Sequence, residues 1–337
     1  MKPSISVQFW RGGRIEAEHR VMAVVVNDEG EVIESWGDEE LLIYWRSSAK
    51  PFQAAAVVLS GAVDHFGITP KEIALLAGSH SGESIHTDVA LGILKKLNLE
   101  IQDLQCGIQP PLDFNELIKL YQNGAQPTPL HNNCSGKHAG MLALALYRGA
   151  SVKNYLDPQD LVQQEILSLI SQITEIPKER IPIGIDGCSA PVFGVSLKSA
   201  AMAYARLIEG RSVNGALQVA LQRVAVAMRS YPEMVAGTHN RICTQLMRWG
   251  GASDLVAKAG AEGVYGAGWR DPQSGRSLGL AVKVIDGSQR ARDPVVIGIL
   301  QKYKVLPYDL PRDLKAFYPE ILYNWAGKEV GKVTIDL

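Results

Sequence analysis

The chain has 337 residues, 46% hydrophobic and 20% charged, with a formal net charge of -1. That length exceeds the size at which one core stops growing, so one large domain or two closely packed lobes is expected. Near-neutrality supplies no electrostatic footprint for nucleic acid or an anionic membrane surface, and no apolar run approaches the ~20 residues of a membrane span.

Residues 5–45 read as β-structure. The run Val21-Met22-Ala23-Val24-Val25-Val26 ends in Asn27-Asp28-Glu29-Gly30, a hairpin signal, and strand texture resumes at Glu31–Trp36. A helix is expected from Ser47 to His65. Ile73–Gly78 then reads as a short apolar strand or buried turn. Helical patterns follow at about 84–97, 113–122, 135–148, 159–175, 195–209, 214–229 and 240–249, with Val162, Ile166, Leu169 and Ile170 showing the spacing. Strands return at 255–258, 263–269 and 278–285. A helix near Pro294–Tyr303 precedes a last strand over 329–336.

Strands at both ends with helices between them predict an α+β, or three-layer, arrangement. Its mainly antiparallel sheet is built from both termini, flanked by helices and carrying a helical subdomain. No linker is visible, so the expectation is a single catalytic unit of two intimate lobes, a sheet portion (1–46 and 251–337) and a mainly helical portion (47–250). Residues 1–10 lack the apolar core of a signal peptide, which predicts a cytoplasmic protein. In that compartment Cys106, Cys134, Cys188 and Cys243 are free thiols, metal ligands or reactive groups rather than a disulfide framework.

Chemistry concentrates first in Arg46-Ser47-Ser48-Ala49-Lys50-Pro51, where a hydroxyl and an amine three residues apart open a helix. Residues at that spacing share a helical face, which predicts that Ser47 reaches Lys50 and Ser48 does not. The plainer reading is a helix cap beside a solvated lysine. Ser79-His80-Ser81-Gly82-Glu83 could likewise be a turn leading to a cap, and Lys258-Ala259-Gly260 the cover of an edge strand. S-x-x-K, a serine loop and K-x-G occur in this order in serine β-lactamases and penicillin-binding proteins. Ser79-His80-Ser81 lacks the asparagine of those enzymes. Cys134, Lys137 and His138 share a face if a helix starts at Cys134, and Asp186-Gly187-Cys188 sits in a turn after a short strand. By spacing alone these cysteines read as buried and inert, and the histidines as structural.

With Asn133–Met141, Asp186–Cys188, Arg241–Met247 and Ala257–Gly263 added to the Arg46–Pro51 and Ser79–Glu83 segments, the chain resembles the Rhizobium etli-type L-asparaginases over nearly its whole length. The resemblance implies a fold similar to serine β-lactamases and glutaminases, a homodimer, and hydrolysis of the side-chain amide of L-asparagine. It implies two serine-lysine pairs, Ser47 with Lys50 and Ser79 with Lys258, and a Zn2+ site at Cys134, Lys137 and Cys188. Asp186 is implied as a neighbour of the ligands, and Cys243, Arg46 and His80 as groups near the site. Gln109 stands where the family leads one to expect histidine.

The expected chemistry is acyl transfer: Lys50 accepts the Ser47 proton, Ser47 attacks the amide carbon, and Ser79 relays a proton to the leaving ammonia. The alternatives are a glutaminase or a β-lactam-directed serine amidase on the same fold, a zinc hydrolase with structural serines, and an inactive binding protein.

Overall fold

The computed structural model describes residues 2–209, 213 and 215–337. In chain order the strands are β1 (Ile5–Arg11), β2 (Arg14–Asn27), β3 (Val32–Trp36), β4 (Leu42–Tyr44), β5 (Ile183–Ile185), β6 (Pro191–Ser196), β7 (Val256–Ala259), β8 (Val264–Arg270), β9 (Ser277–Val284), β10 (Ile321–Tyr323) and β11 (Glu329–Asp336). The helices are α1 (Lys50–Ser60), α2 (Ala62–His65), α3 (Pro70–Leu76), α4 (Ser84–Lys96), α5 (Phe114–Gln122), α6 (Ser135–Tyr147), α7 (Leu161–Thr174), α8 (Leu197–Ile208), α9 (Gly215–Ser230), α10 (Pro232–Val235), α11 (Ile242–Trp249), α12 (Gln289–Lys302) and α13 (Arg312–Lys315). The helix expected over 214–229 has its first residue, 214, outside the described residues.

The main sheet runs β10-β11-β1-β2-β9-β8-β7, with antiparallel pairs throughout. It is assembled from both ends of the chain, as the pattern of strands predicts. β2 is long enough to serve two partners on one edge: its first half pairs with β1 and its last residues with β3, while β9 takes the other edge. The central strands are buried on both faces, and the two covering helices can be assigned from neighbouring side chains. Tyr265 turns its ring toward Arg292 of α12, and a Cβ on the next residue, Gly266, would meet the Tyr204 ring of α8 at 2.0 Å. Adjacent strand residues face opposite ways, so α8 and α12 sandwich the sheet.

α8 lies against the sheet at backbone distance. A Cβ on Gly279 would lie 1.9 Å from the Ala201 carbonyl, and one on Gly268 would lie 2.2 Å from that of Tyr204. The glycines of β8 and β9 are thus required by this close approach rather than by turns. Beyond α8 the helical portion packs around α1, whose residues Lys50–Val58 are all buried. Apolar residues of both portions form one continuous core, from Ile5 to Val333.

Three expectations are corrected. Ile73–Leu76 is helical, in α3: Thr69 and Glu72 form a capping box with Pro70 in the first turn, and these local signals override the strand-like apolar run. Leu42–Tyr44, assigned to the sheet portion, pairs instead with β6 in a separate β4-β6-β5 sheet that the sequence did not suggest. The helix expected near Pro294–Tyr303 begins earlier, at Gln289, and holds Pro294 inside it at the cost of one intrahelical hydrogen bond. Among the described residues no helix is long and apolar enough to cross a membrane.

Candidate active site

Four elements deliver the predicted residues. Arg46–Ala49 forms a single 3-10 turn leading into α1, so Ser47 and Lys50 straddle a turn-to-helix junction. Ser79 lies in the loop between α3 and α4, Lys258 lies on β7, and Cys134 immediately precedes α6. The structure brings Lys50, Ser79 and Lys258 into direct contact. Lys50 Nζ and Lys258 Nζ each stand 2.8 Å from Ser79 Oγ. Lys50 also donates to the Asn133 carbonyl at 3.2 Å, and Lys258 to that of Ala259 at 2.8 Å.

The expected Ser47–Lys50 hydrogen bond is not formed. Helical spacing would bring the two together only in an α-helix running through Ser47; the tighter turn and the non-local acceptors draw the amine to Ser79 and Asn133 instead. Ser47 is half-buried and lines a narrow cleft with Lys50, Lys137 and Asp186, so serine and lysine remain neighbours. Ser48 is turned away, its hydroxyl bonded to the Trp45 carbonyl at 2.6 Å.

Arg46 adopts φ 51, a left-handed conformation that costs a non-glycine residue energy. Its guanidinium is held on Asp186, with Nη2 2.9 Å from Oδ1. Tyr204 supports the same turn from α8, its hydroxyl donating to the Ser48 carbonyl at 2.6 Å. The serine turn is therefore pinned on both sides.

Burial dominates the electrostatics. Desolvation, then opposed by the Cys134 thiol, brings Lys50 below the ordinary lysine range. Desolvation followed by the Lys50 charge holds Lys258 well below it. A neutral amine at Lys258 can accept the Ser79 proton while Ser79 accepts from Lys50.

His80 faces elsewhere. Its Nδ1 accepts from the Gly82 N–H at 3.2 Å, which leaves Nε2–H to donate to Ser135 Oγ at 2.9 Å, and its ring stacks on His86. Cys243 Sγ accepts from the Ala259 N–H at 3.1 Å, beside the lysine strand. Gln109 reaches the same loop, its Oε1 accepting from Asn133 N–H at 3.3 Å.

The residues before and within α6 diverge by one helical step: Lys137 Nζ donates to Cys188 Sγ at 3.0 Å, while His138 Nδ1 meets the Tyr155 hydroxyl at 2.7 Å. Cys134 is held well below the usual thiol range, first by a hydrogen bond from Cys188 and then by the Lys50 and Lys137 cations; Cys188 is correspondingly pushed up and keeps its proton. Burial opposes the Lys137 charge, but the Cys134 thiolate and the Cys188 sulfur that accepts its hydrogen bond outweigh it and raise the amine. Burial pushes Cys106 up to about 12. Among the described residues no three His, Cys, Asp or Glu side chains gather as a metal site. The trio at Cys134, Lys137 and Cys188 offers two sulfurs and one nitrogen, a donor set whose chemistry suits zinc with one position left open.

Two site residues had no assigned part in the sequence reading. The Asn133 carbonyl is a backbone acceptor, which no side-chain motif announces. Arg241 lies in a recognised motif block, and its guanidinium donates to the Ser79 carbonyl at 2.8 Å and to Ser81 Oγ at 2.9 Å.

The L-asparaginase II family model matches residues 7–335. The chain belongs to that family. The α+β architecture extends over its whole matched length. Among solved structures, Mglu in its Tris and glutamate form is similar at 16% identity and TM-score 0.47, over 92% of this chain and 65% of that one. This family member thus spans less than two thirds of the length of Mglu. A β-lactamase from Sphaerobacter thermophilus is similar at 16% identity and TM-score 0.44, over 86% of this chain and 93% of that one. A Bacillus glutaminase is similar at 11% identity and TM-score 0.41, over 86% and 92%. No match to a curated protein accompanies them.

Proposed function

We propose that the protein is an L-asparaginase of the Rhizobium etli type, hydrolysing the side-chain amide of L-asparagine to L-aspartate and ammonia through a serine acyl-enzyme. The observation that carries this reading is the convergence of Lys50 and Lys258 on Ser79 Oγ beside the cleft that holds Ser47. A hydroxyl between two desolvated amines is a proton conduit, and a surface lysine pair has no use for one.

In this reading Lys50, in its neutral form, takes the Ser47 proton as Oγ bonds to the amide carbon. Collapse of the tetrahedral intermediate breaks the C–N bond, and the departing nitrogen receives a proton passed along Lys50, Ser79 and Lys258. Water, deprotonated by the same amines, attacks the ester carbon and returns Ser47 with its proton. Cys134, Lys137 and Cys188 would hold Zn2+, which when bound supplies a Lewis-acidic anchor for the substrate's charged end. The same reading makes the enzyme a cytoplasmic homodimer.

The test is ammonia release from L-asparagine and L-glutamine, measured side by side for the parent chain and for S47A. Asparagine turnover that vanishes in S47A supports the assignment. Appreciable activity in S47A, or stable acylation by a labelled β-lactam with no asparagine turnover, would sink it.

A further inference from the structure

The loop that carries Ser79 has no regular secondary structure, yet the reacting geometry depends on where its oxygen stands. The segment Val235–Thr238 and the side chain of Arg241 hold it. Ser79 N–H donates to the Val235 carbonyl at 2.7 Å, and Ser81 Oγ donates to the Ala236 carbonyl at 2.9 Å. Glu83 accepts from the Thr238 N–H at 2.9 Å and from the Thr238 hydroxyl. The two strips of chain press so closely that a Cβ on Gly237, whose φ is 153, would fall 2.4 Å from Ser81 Oγ. Arg241 closes this assembly from the start of α11. Its Nη2 holds the carbonyl of Ser79 itself and its Nη1 the hydroxyl two residues on.

Two features set Arg241 apart from an ordinary loop clasp. The guanidinium is a rigid planar fork, so two bonds to residues 79 and 81 fix both position and tilt of the peptide that bears Oγ. Among the described residues no carboxylate comes within ion-pair distance of Arg241, whose charge is shared among Cys243, Glu83 and the Lys258 amine.

We propose that Arg241 is a positioning residue for the reaction: by gripping the Ser79 carbonyl and the Ser81 hydroxyl, it holds Ser79 Oγ at the meeting point of Lys50 and Lys258 and presents a fixed cation to the latter. This rests on the reading of Ser79 as the proton relay. The groups facing Lys258 are Lys50 from α1, Arg241 and Cys243 from the start of α11, and Cys134 from the start of α6. After burial and Lys50, Arg241 is a further cation that lowers the Lys258 amine, against Cys243 and Cys134 that raise it. Removing the Arg241 charge therefore raises the Lys258 pKa and leaves less neutral amine at a given pH.

The experiment compares R241Q, R241K and S81A with the parent chain, in ammonia-release kinetics across pH. Parent-chain turnover of asparagine is established first; if the parent hydrolyses no amide, the functional reading fails before this one is reached. R241Q should lower kcat by roughly 10- to 100-fold with KM little changed, as loss of reacting geometry does. Its ascending pH limb should move to higher pH. R241K, which keeps the charge and loses the fork, should hold the limb near the parent position with part of kcat recovered. S81A should lower kcat modestly with the limb unmoved. Unaltered kcat and limb in R241Q overturn the proposal. So does an R241Q that loses activity with the limb unmoved while R241K does no better, since that is the pattern of a merely structural clasp.

Discussion

Lys50 and Lys258 approach one oxygen, Ser79 Oγ, from a helix and from an edge strand, each at 2.8 Å. Two amines cannot both stay charged in a dry site without strong mutual repulsion. With one amine neutral, the hydroxyl between them can accept from the charged partner and donate to the neutral one, which gives the trio one movable proton.

Removing that hydroxyl should break the relay while leaving the fold in place, since Ser79 contributes no apolar core. S79A is expected to lose roughly 100- to 10,000-fold in asparagine turnover, the range of a positioned acid-base group. Ammonia release paired with circular dichroism checks it. An S79A protein with native spectrum and near-parent turnover refutes the relay.

The depressed Lys258 amine also predicts how stability varies with pH. Its folded pKa lies well below the value in the unfolded chain, so between the two the unfolded state binds more protons. Stability should rise as pH increases through that window, and the penalty is fully present below the folded pKa. K258M abolishes this contribution, and its unfolding free energy should climb less steeply on the alkaline side. Urea titrations at a series of pH values measure the difference.

If Cys134, Lys137 and Cys188 hold zinc, C188S should purify with far less metal than the parent chain and remain folded, because the core elsewhere is continuous. Elemental analysis of the purified proteins decides it. Equal metal content in both would remove these residues as ligands.

The contact between α8 and the sheet should be the least forgiving in the molecule. G279A places a methyl 1.9 Å from a backbone carbonyl, which cannot move away as a side-chain tip could. A loss of about 1–3 kcal/mol or more is expected from overpacking, read as a drop in the urea midpoint. Y204F should lose about 1–3 kcal/mol by stranding the buried Ser48 carbonyl.

Much of the fold was legible because its signals are local. Val21–Val26 ends at Asn27-Asp28 and does turn there; Val162, Ile166, Leu169 and Ile170 are buried on one side of α7; the last strand falls at Glu329–Asp336. The miss at Ile73–Leu76 was also local, since Thr69-Pro70-Lys71-Glu72 carries a helix-start signature that outweighs four apolar residues in a row. Other features were beyond reach. That Lys50 prefers Ser79 over Ser47, and that Arg241 meets both Ser79 and Ser81, depends on partners 29, 160 and 162 residues away in the chain, which periodicity does not encode. The left-handed Arg46 is equally silent in sequence, because arginine gives no sign of φ 51.

The pairing of β1 with β11 sets an order on the birth of the protein. Trp10 Nε1 bonds Thr334 Oγ1 across a separation of 324 residues, and β2 waits almost as long for β9. On the ribosome the first hairpin emerges with both outer edges bare, while the helical middle can condense around α1. Lys258, on β7, is synthesised only after every residue of that middle, the last of Ser47, Lys50, Ser79 and Lys258 to be made. A chain arrested before β7 would bear Ser47, Lys50 and Ser79 and yet be inert.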